Sequence, residues 1–214
     1  MLFAHRPSSP LVRAVSACRW SFPSTPMRAT ALREFKLPQL DAPIELFEDA
    51  DDPALLAVNW QPERALPLAW PLDFSGAPDP AWCAEADIVA RWSARRDDAP
   101  ACLVVVRQPF TLATREAQCD WVATVLRALE SDAEPPAGLL TANFFASRDG
   151  AFVLNLAEWT SADAHREALK RGSYGQHGSI GSSPQWKATR EHPAISREHE
   201  VHRYLPIDRT ERRI

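Results

Sequence analysis

The pair Asp149-Gly150 constrains the fold more than any other feature of this chain. It stands between "GLLTANFFAS" and "AFVLNLAEW", two strand-like runs, and Asp-Gly between such runs is a strong short-range hairpin signal because the tight turn needs positive φ. Side chains alternate along a strand, so Phe152, Leu154 and Leu156 share one face and Val153, Asn155, Ala157 and Trp159 the other. A two-residue turn would bring Leu140, Ala142, Phe144 and Ala146 onto the face of Asn155 and Trp159. That face combines small, aromatic and hydrogen-bonding groups, a composition suited to a planar apolar ligand with a few oxygens. An amide on an apolar strand is costly unless partnered, so Asn155 asks for either a backbone partner or a ligand.

The flanking elements extend the pattern. "CLVVVRQPF" reads as a strand from its β-branched run. Thr114 can cap a helix whose Ala117, Trp121, Val125 and Leu129 form one stripe until Pro135 and Pro136. "TSAD" from Thr160 resembles a capping box, with the helix expected to run to Lys170 and Arg171 and end at Gly172. Ser183 and Pro184 open a short helix, and "REHEVHRYLPI" closes as a strand. The order from residue 102 predicts an α+β, ferredoxin-like sheet with helices on one face. Its other face is apolar and needs a second layer, most simply a second copy of the sheet, although the N-terminal portion could also supply it.

Upstream the reading is coarser. Two strands are expected at 44–48 and 54–60, and a helix from Asp79-Pro80 with Trp82, Ala86, Val89 and Trp92 at three- and four-residue steps. A module boundary falls near Pro100. The first 33 residues contain five Arg, while all 28 acidic residues lie beyond them. Such an Arg-rich, acid-free beginning suits an organellar transit peptide, but its prolines break the amphipathic helix this needs, and the stretch reads as a disordered or untranslated leader over 1–37, outside the fold, with Met27 as the working start. Residues 38–99 form an N-terminal extension. A weak parallel between "IELFEDADDPALLAVNWQPERAL" and the hairpin ending at Trp159 suggests a degenerate barrel half, and aligning Trp60 with Trp159 sets Leu56 opposite Asn155.

The layout from Cys102 to Ile207, above all "SRDGAFVLNLAEWTSADAHREAL", resembles the antibiotic biosynthesis monooxygenase family. Within it, "NLAEW" is similar to the N-x-x-x-W strand motif of quinone-forming oxygenases that act on aromatic polyketides. The resemblance implies a dimeric α/β barrel, hence a homodimer, and oxidation of phenols or anthrones by O2 with no flavin, haem or metal. It carries the pocket donors onto Asn155 and Trp159. His165 stands where some members have a Tyr, which makes it a candidate base near neutrality; a solvated helix-surface position is the alternative. Leu140, Ala142, Phe144, Val153, Ala157 and Tyr204 are the expected substrate-binding residues. Haem degradation, the other activity of this superfamily, would need an iron-ligating His and usually an Asn on the first strand, and Val104, Val106 and Gln108 occupy that face with no Asn. A non-catalytic binding or dimerisation module is the remaining alternative.

Other features exclude more than they include. The net charge of −4 offers no electrostatic basis for nucleic-acid binding, and no apolar run is long enough for a membrane span. Cys18, Cys83, Cys102 and Cys119 form no C-x-x-C, so neither zinc nor a disulfide framework is indicated and a reducing cytoplasm is expected. The four glycines 172, 175, 178 and 181 suggest a loop over the pocket, and His199 and His202 are expected on opposite strand faces.

Overall fold

The computed structural model describes residues 12–34, 44–61, 78–94, 97–131, 135–173, 180 and 183–207. The elements in chain order are β1 (Ala14–Ser21), α1 (Thr25–Glu34), β2 (Ile44–Asp49), β3 (Ala54–Gln61), β4 (Trp82–Ser93), β5 (Cys102–Pro109), α2 (Arg115–Ser131), β6 (Leu139–Ser147), β7 (Phe152–Trp159), α3 (Ala162–Ser173), α4 (Pro184–Arg190) and β8 (Glu200–Pro206). The strands close into an antiparallel barrel in the order β1-β3-β2-β8-β5-β7-β6-β4. Taken as β4-β1-β3-β2 followed by β8-β5-β7-β6, this is one four-strand order used twice. Two ferredoxin-like sheets therefore share a single chain, joined where β2 pairs with β8 and β4 with β6.

This closure answers the question left by the apolar sheet face. Leu103, Val105, Phe145, Phe152, Leu154 and Leu156 point into the barrel, where Val15, Ala17, Phe47, Leu56, Val58 and Trp60 meet them. The N-terminal half fills the place for which a second subunit was expected, so the sheet itself requires no homodimer.

Three upstream expectations are corrected. Residues 14–34, assigned to a leader, form β1 and α1. β1 is flanked by β3 and β4 and is buried over seven consecutive residues. The scarcity of acidic side chains there reflects burial on both faces. The expected helix after Asp79-Pro80 is instead the strand β4. Trp82, Ala84, Ala86 and Ile88 face the barrel interior with period two. A bulge between Ile88 and Ala90 then turns Val89, Ala90 and Trp92 outward, which produces the apparent helical spacing. Finally, Cys18 and Cys83 are cross-strand partners joined by a disulfide. Their separation of 65 residues hides a proximity that only strand pairing creates.

The internal repeat also has a different register. The β1/β3 and β5/β7 ladders each contain eight pairs. Matched end to end, they set Arg19, opposite Leu56, on Arg107, opposite Leu154, and Ala57 on Asn155. Aligning Trp60 with Trp159 is one residue out, and a one-residue slip inverts the faces. Trp60 accordingly packs inside the barrel and Trp159 outside.

In the C-terminal half most of the local signals act as expected, and the two ends of α3 are shifted. Thr114 Oγ1 accepts from the Ala117 amide, Ser161 Oγ from Ala164 and Ser183 Oγ from Trp186, so the α3 cap is Ser161 rather than Thr160. α3 continues through Gly172 to Ser173. At the hairpin Gly150 has φ +78°, and a Cβ there would lie 2.6 Å from the Ala113 backbone. None of the described helices is long and apolar enough to cross a membrane.

Candidate functional site

Helices α2, α3 and α4 stand off the outer face of the C-terminal sheet and enclose a cavity of about 810 Å³. Its floor is Val104, Val106 and Gln108 of β5, Ala142 of β6, and Asn155, Ala157 and Trp159 of β7. Trp121, Val125 and Leu129 of α2 form one wall, His165 and Leu169 of α3 another, and Trp186 and Thr189 of α4 the roof. The mouth carries Arg190, Glu191, His192, Ser196, Arg197 and His199. Gln108 is spent on structure, since its Nε2 donates to the carbonyls of Pro109 and Ser196. Trp121 Nε1 likewise donates to the Thr189 carbonyl.

Two polar groups in this apolar space have no such partner. Trp159 is 1% exposed, and its indole Nε1 makes no hydrogen bond among the described residues; neither does the buried Oδ1 of Asn155. Buried polar atoms are ordinarily paired. Both residues line the cavity, and the orphaned atoms themselves are buried, as are Asn143 Oδ1, Gln118 Oε1 and Glu158 Oε1 elsewhere in the same half. The amide orientation of Asn155 is interchangeable with respect to N and O, so the group can present either its acceptor or its donors. Gly138 helps seat this corner: at φ +88° it passes under the start of α3, where a Cβ would meet Ala164 Cβ at 2.6 Å and Thr160 Oγ1 at 2.7 Å.

His165 completes the constellation. It is 3% exposed, not solvated, and stacks edge-on against Trp159 at 4.8 Å between ring centroids. Arg203 Nε donates to His165 Nδ1 at 3.0 Å. Burial, reinforced by the Arg203 charge, lowers the imidazole pKa to about 4. The ring is neutral at pH 7 with Nδ1 occupied, which leaves Nε2 as the N–H donor. The expected base is thus a group suited to giving a hydrogen bond, not to taking a proton.

The remaining expected contacts divide. Ala142 and Ala157 line the cavity. Phe144 and Val153 lie on the correct face but are packed into its supporting layer. Leu140 is displaced by a bulge between Leu139 and Thr141, so Leu139 lines the cavity in its place. Tyr204 points the other way, into the barrel, because its register pairs it with the inward-facing Leu103 of β5. His199 faces the cavity and His202 the barrel, on opposite sides of the sheet as expected. Most of the glycine loop lies outside the described residues; Ile180 lines the cavity. The α2 stripe and the Ser183-Pro184 cap were readable signals for the wall and roof, but nothing local announced that α4 would pack against α2 and close over the cavity.

At one mouth of the barrel a second polar cluster is extensively paired. Asp49 Oδ2 lies 2.9 Å from His202 Nδ1, Arg19 Nε donates to Tyr204 Oη at 2.9 Å, and Glu200 accepts from Trp82 Nε1 and from Arg107. Hydrogen bonding to Asp49 and then to Glu200 raises His202 to about 9. Among the described residues Asp49, Asp52 and His202 bring possible metal ligands within 4.8 Å of one another. Asp49 and His202 already neutralise each other there, and the Arg19 guanidinium stands 3.9 Å from Asp49, in a position unfavourable to a second cation. Cys102 is a buried thiol raised to about 11 by desolvation, inert as a nucleophile or ligand.

No family model and no curated protein matches the sequence, but solved structures share the fold. An anthrone oxidase-like protein aligns over 92% of this chain and 92% of its own, with TM-score 0.60 and 12% identity. A proposed monooxygenase from Fusobacterium nucleatum covers 92% and 93% with TM-score 0.50 and 11% identity. A major regulator of staphylococcal pathogenesis covers 91% and 99% with TM-score 0.50 and 7% identity. Neighbours of this barrel thus carry the names of both oxygenases and a regulator. At these identities the likeness is one of architecture, and function must be argued from the site.

Proposed function

We propose that the cavity binds a planar polycyclic phenol or anthrone-like molecule and that the protein oxidises it to a quinone with O2, using no flavin, haem or metal. The observation that carries this reading is the presence of Asn155 and Trp159, each with a buried polar atom lacking a hydrogen-bond partner among the described residues, in the lining of an apolar cavity beside His165. Oxidation without a cofactor needs an electron-rich substrate anion. Donors aimed at a phenolate or enolate oxygen in a dry site stabilise that anion strongly. The Asn155 amide, Trp159 Nε1–H and His165 Nε2–H can serve in this way, so the protein promotes loss of the substrate proton chiefly by holding the anion. The substrate carbanion then gives electrons to O2 and a C–O bond forms. Cleavage of the O–O bond leaves one oxygen in the quinone and releases the other as water, so the atoms and electrons balance.

The test is aerobic incubation of metal- and flavin-stripped protein with a panel of anthrones, following O2 uptake and quinone absorbance. Uptake of one O2 per quinone supports the reading. Tight binding without turnover would replace it with a small-molecule-binding module, and activity restored only by an added metal or flavin would also overturn it.

A further inference from the structure

The β2–β3 turn of the N-terminal half reaches across the barrel rim toward the cavity of the C-terminal half. Asp49 Oδ1 accepts the backbone amides of Asp51 and Asp52 at 2.9 and 3.2 Å and so shapes that turn. Asp51 Oδ2 accepts from Arg203 at 2.7 Å, and its Oδ1 pairs with Arg166 at 2.5 Å. Arg203 in turn donates to His165. A guanidinium has only donors, so the nitrogen it meets must be the acceptor of the imidazole. A second group that fixes one ring nitrogen decides what the other can do.

We infer that Asp51 and Arg203 are positioning residues that hold His165 as an Nε2–H donor toward the cavity, so that a turn of one barrel half completes the site carried by the other. The use of that donor on a substrate anion rests on the function proposed above; its orientation does not. Arg203, Asp51 and Arg166 are the charged groups acting on His165, and Trp159 covers it from β7.

NMR of ligand-free protein with 15N-labelled histidine separates the possibilities. The wild type should show a single Nε2–H tautomer and a midpoint near pH 4. Arg203→Met should mix the tautomers and move the midpoint upward by roughly one pH unit or more. Asp51→Ala tests the clamp through its sign. As a charge alone, Asp51 favours the protonated ring, so its loss would lower the midpoint; as the holder of Arg203, its loss frees the guanidinium and raises the midpoint. A midpoint that is unchanged or lower in either folded variant overturns the proposal. Asp51→Ala alters a side chain 37% exposed, so it carries the test should Arg203→Met not fold. In turnover, His165→Ala and Arg203→Met should each lower kcat roughly tenfold, the lower end of what losing an orienting partner costs, and the double variant should be no slower. If the spectra behave as expected and no turnover exists, the functional reading fails and the positioning stands; additive kinetic losses would count against the relay itself.

Discussion

His202 and Arg203 are neighbours on β8 and serve opposite worlds. His202 faces the barrel, where Asp49 and Glu200 keep it charged, raised to about 9. Arg203 faces outward, where it helps to keep His165 neutral, lowered to about 4. The two regions are one sheet thickness apart, yet the barrel cluster is tied together by ion pairs and hydrogen bonds among charged side chains, whereas in the cavity lining Asn155 Oδ1 and Trp159 Nε1 have no hydrogen-bond partner among the described residues. Polar groups that satisfy one another read as architecture, since breaking such a set costs stability. Polar groups left unsatisfied beside empty apolar space read as waiting for a guest. The two faces of the C-terminal sheet thus separate a cluster shared by both halves of the barrel from the lining of the cavity.

The contrast is broken most directly at Asp49. Its side chain is fully buried, and Asp49→Ala leaves His202 and Arg19 without their counter-charge, an expected loss of about 3–5 kcal/mol measurable by urea unfolding at pH 7. A change under 1 kcal/mol would mean that the barrel cluster is not structural. Asn155→Ala and Trp159→Phe should do the reverse, each lowering kcat about a hundredfold, or about 3 kcal/mol of transition-state stabilisation, with little effect on unfolding. A large stability loss at unchanged kcat would move both residues into the architectural class.

The pH dependence of stability sharpens the comparison because the two histidines have opposite signs. His202, raised in the folded state, contributes fully below its unfolded value of about 6.5 and is lost as pH rises through about 9. His165, depressed in the folded state, contributes fully above about 6.5, and that contribution is lost as pH falls toward about 4. Each is worth at most about 3 kcal/mol, so stability should peak near neutrality. Unfolding curves across pH should show His202→Gln flattening only the alkaline limb and His165→Gln only the acidic one. Persistence of both limbs in both variants would refute the assignment. The smallest effect expected is at Tyr204. Tyr204→Phe should leave ligand affinity unchanged and cost about 1 kcal/mol of stability through the lost Arg19 hydrogen bond, and a marked fall in affinity would place this side chain functionally in the cavity.

The N-terminal half was the less legible one for reasons that particular residues make plain. Trp82, Ala84, Ala86 and Ile88 alternate as a strand should, but the bulge after Ile88 shifts Trp92 onto a helical count. β1 lies within a proline-punctuated, acid-free stretch whose composition describes a buried central strand and a leader equally well. In the C-terminal half the turn at Asp149-Gly150, the caps at Thr114 and Ser183, and the alternation through Asn155 and Trp159 are short-range signals, and these located the donors of the cavity. The β6 bulge, invisible at that range, exchanged Leu139 for Leu140.

The sequence by itself determined the hairpin, the helices and the face on which Asn155 and Trp159 stand, because turn chemistry, capping and strand alternation act within a few residues. Only the tertiary structure decided that the sheet closes on its own N-terminal half, that Cys18 meets Cys83, that Tyr204 turns inward, and that Arg203 and Asp51 set the protonation of His165. Each of these depends on contacts between residues 38 to 185 positions apart, where closure of the whole barrel, and no local preference, determines which side chains meet.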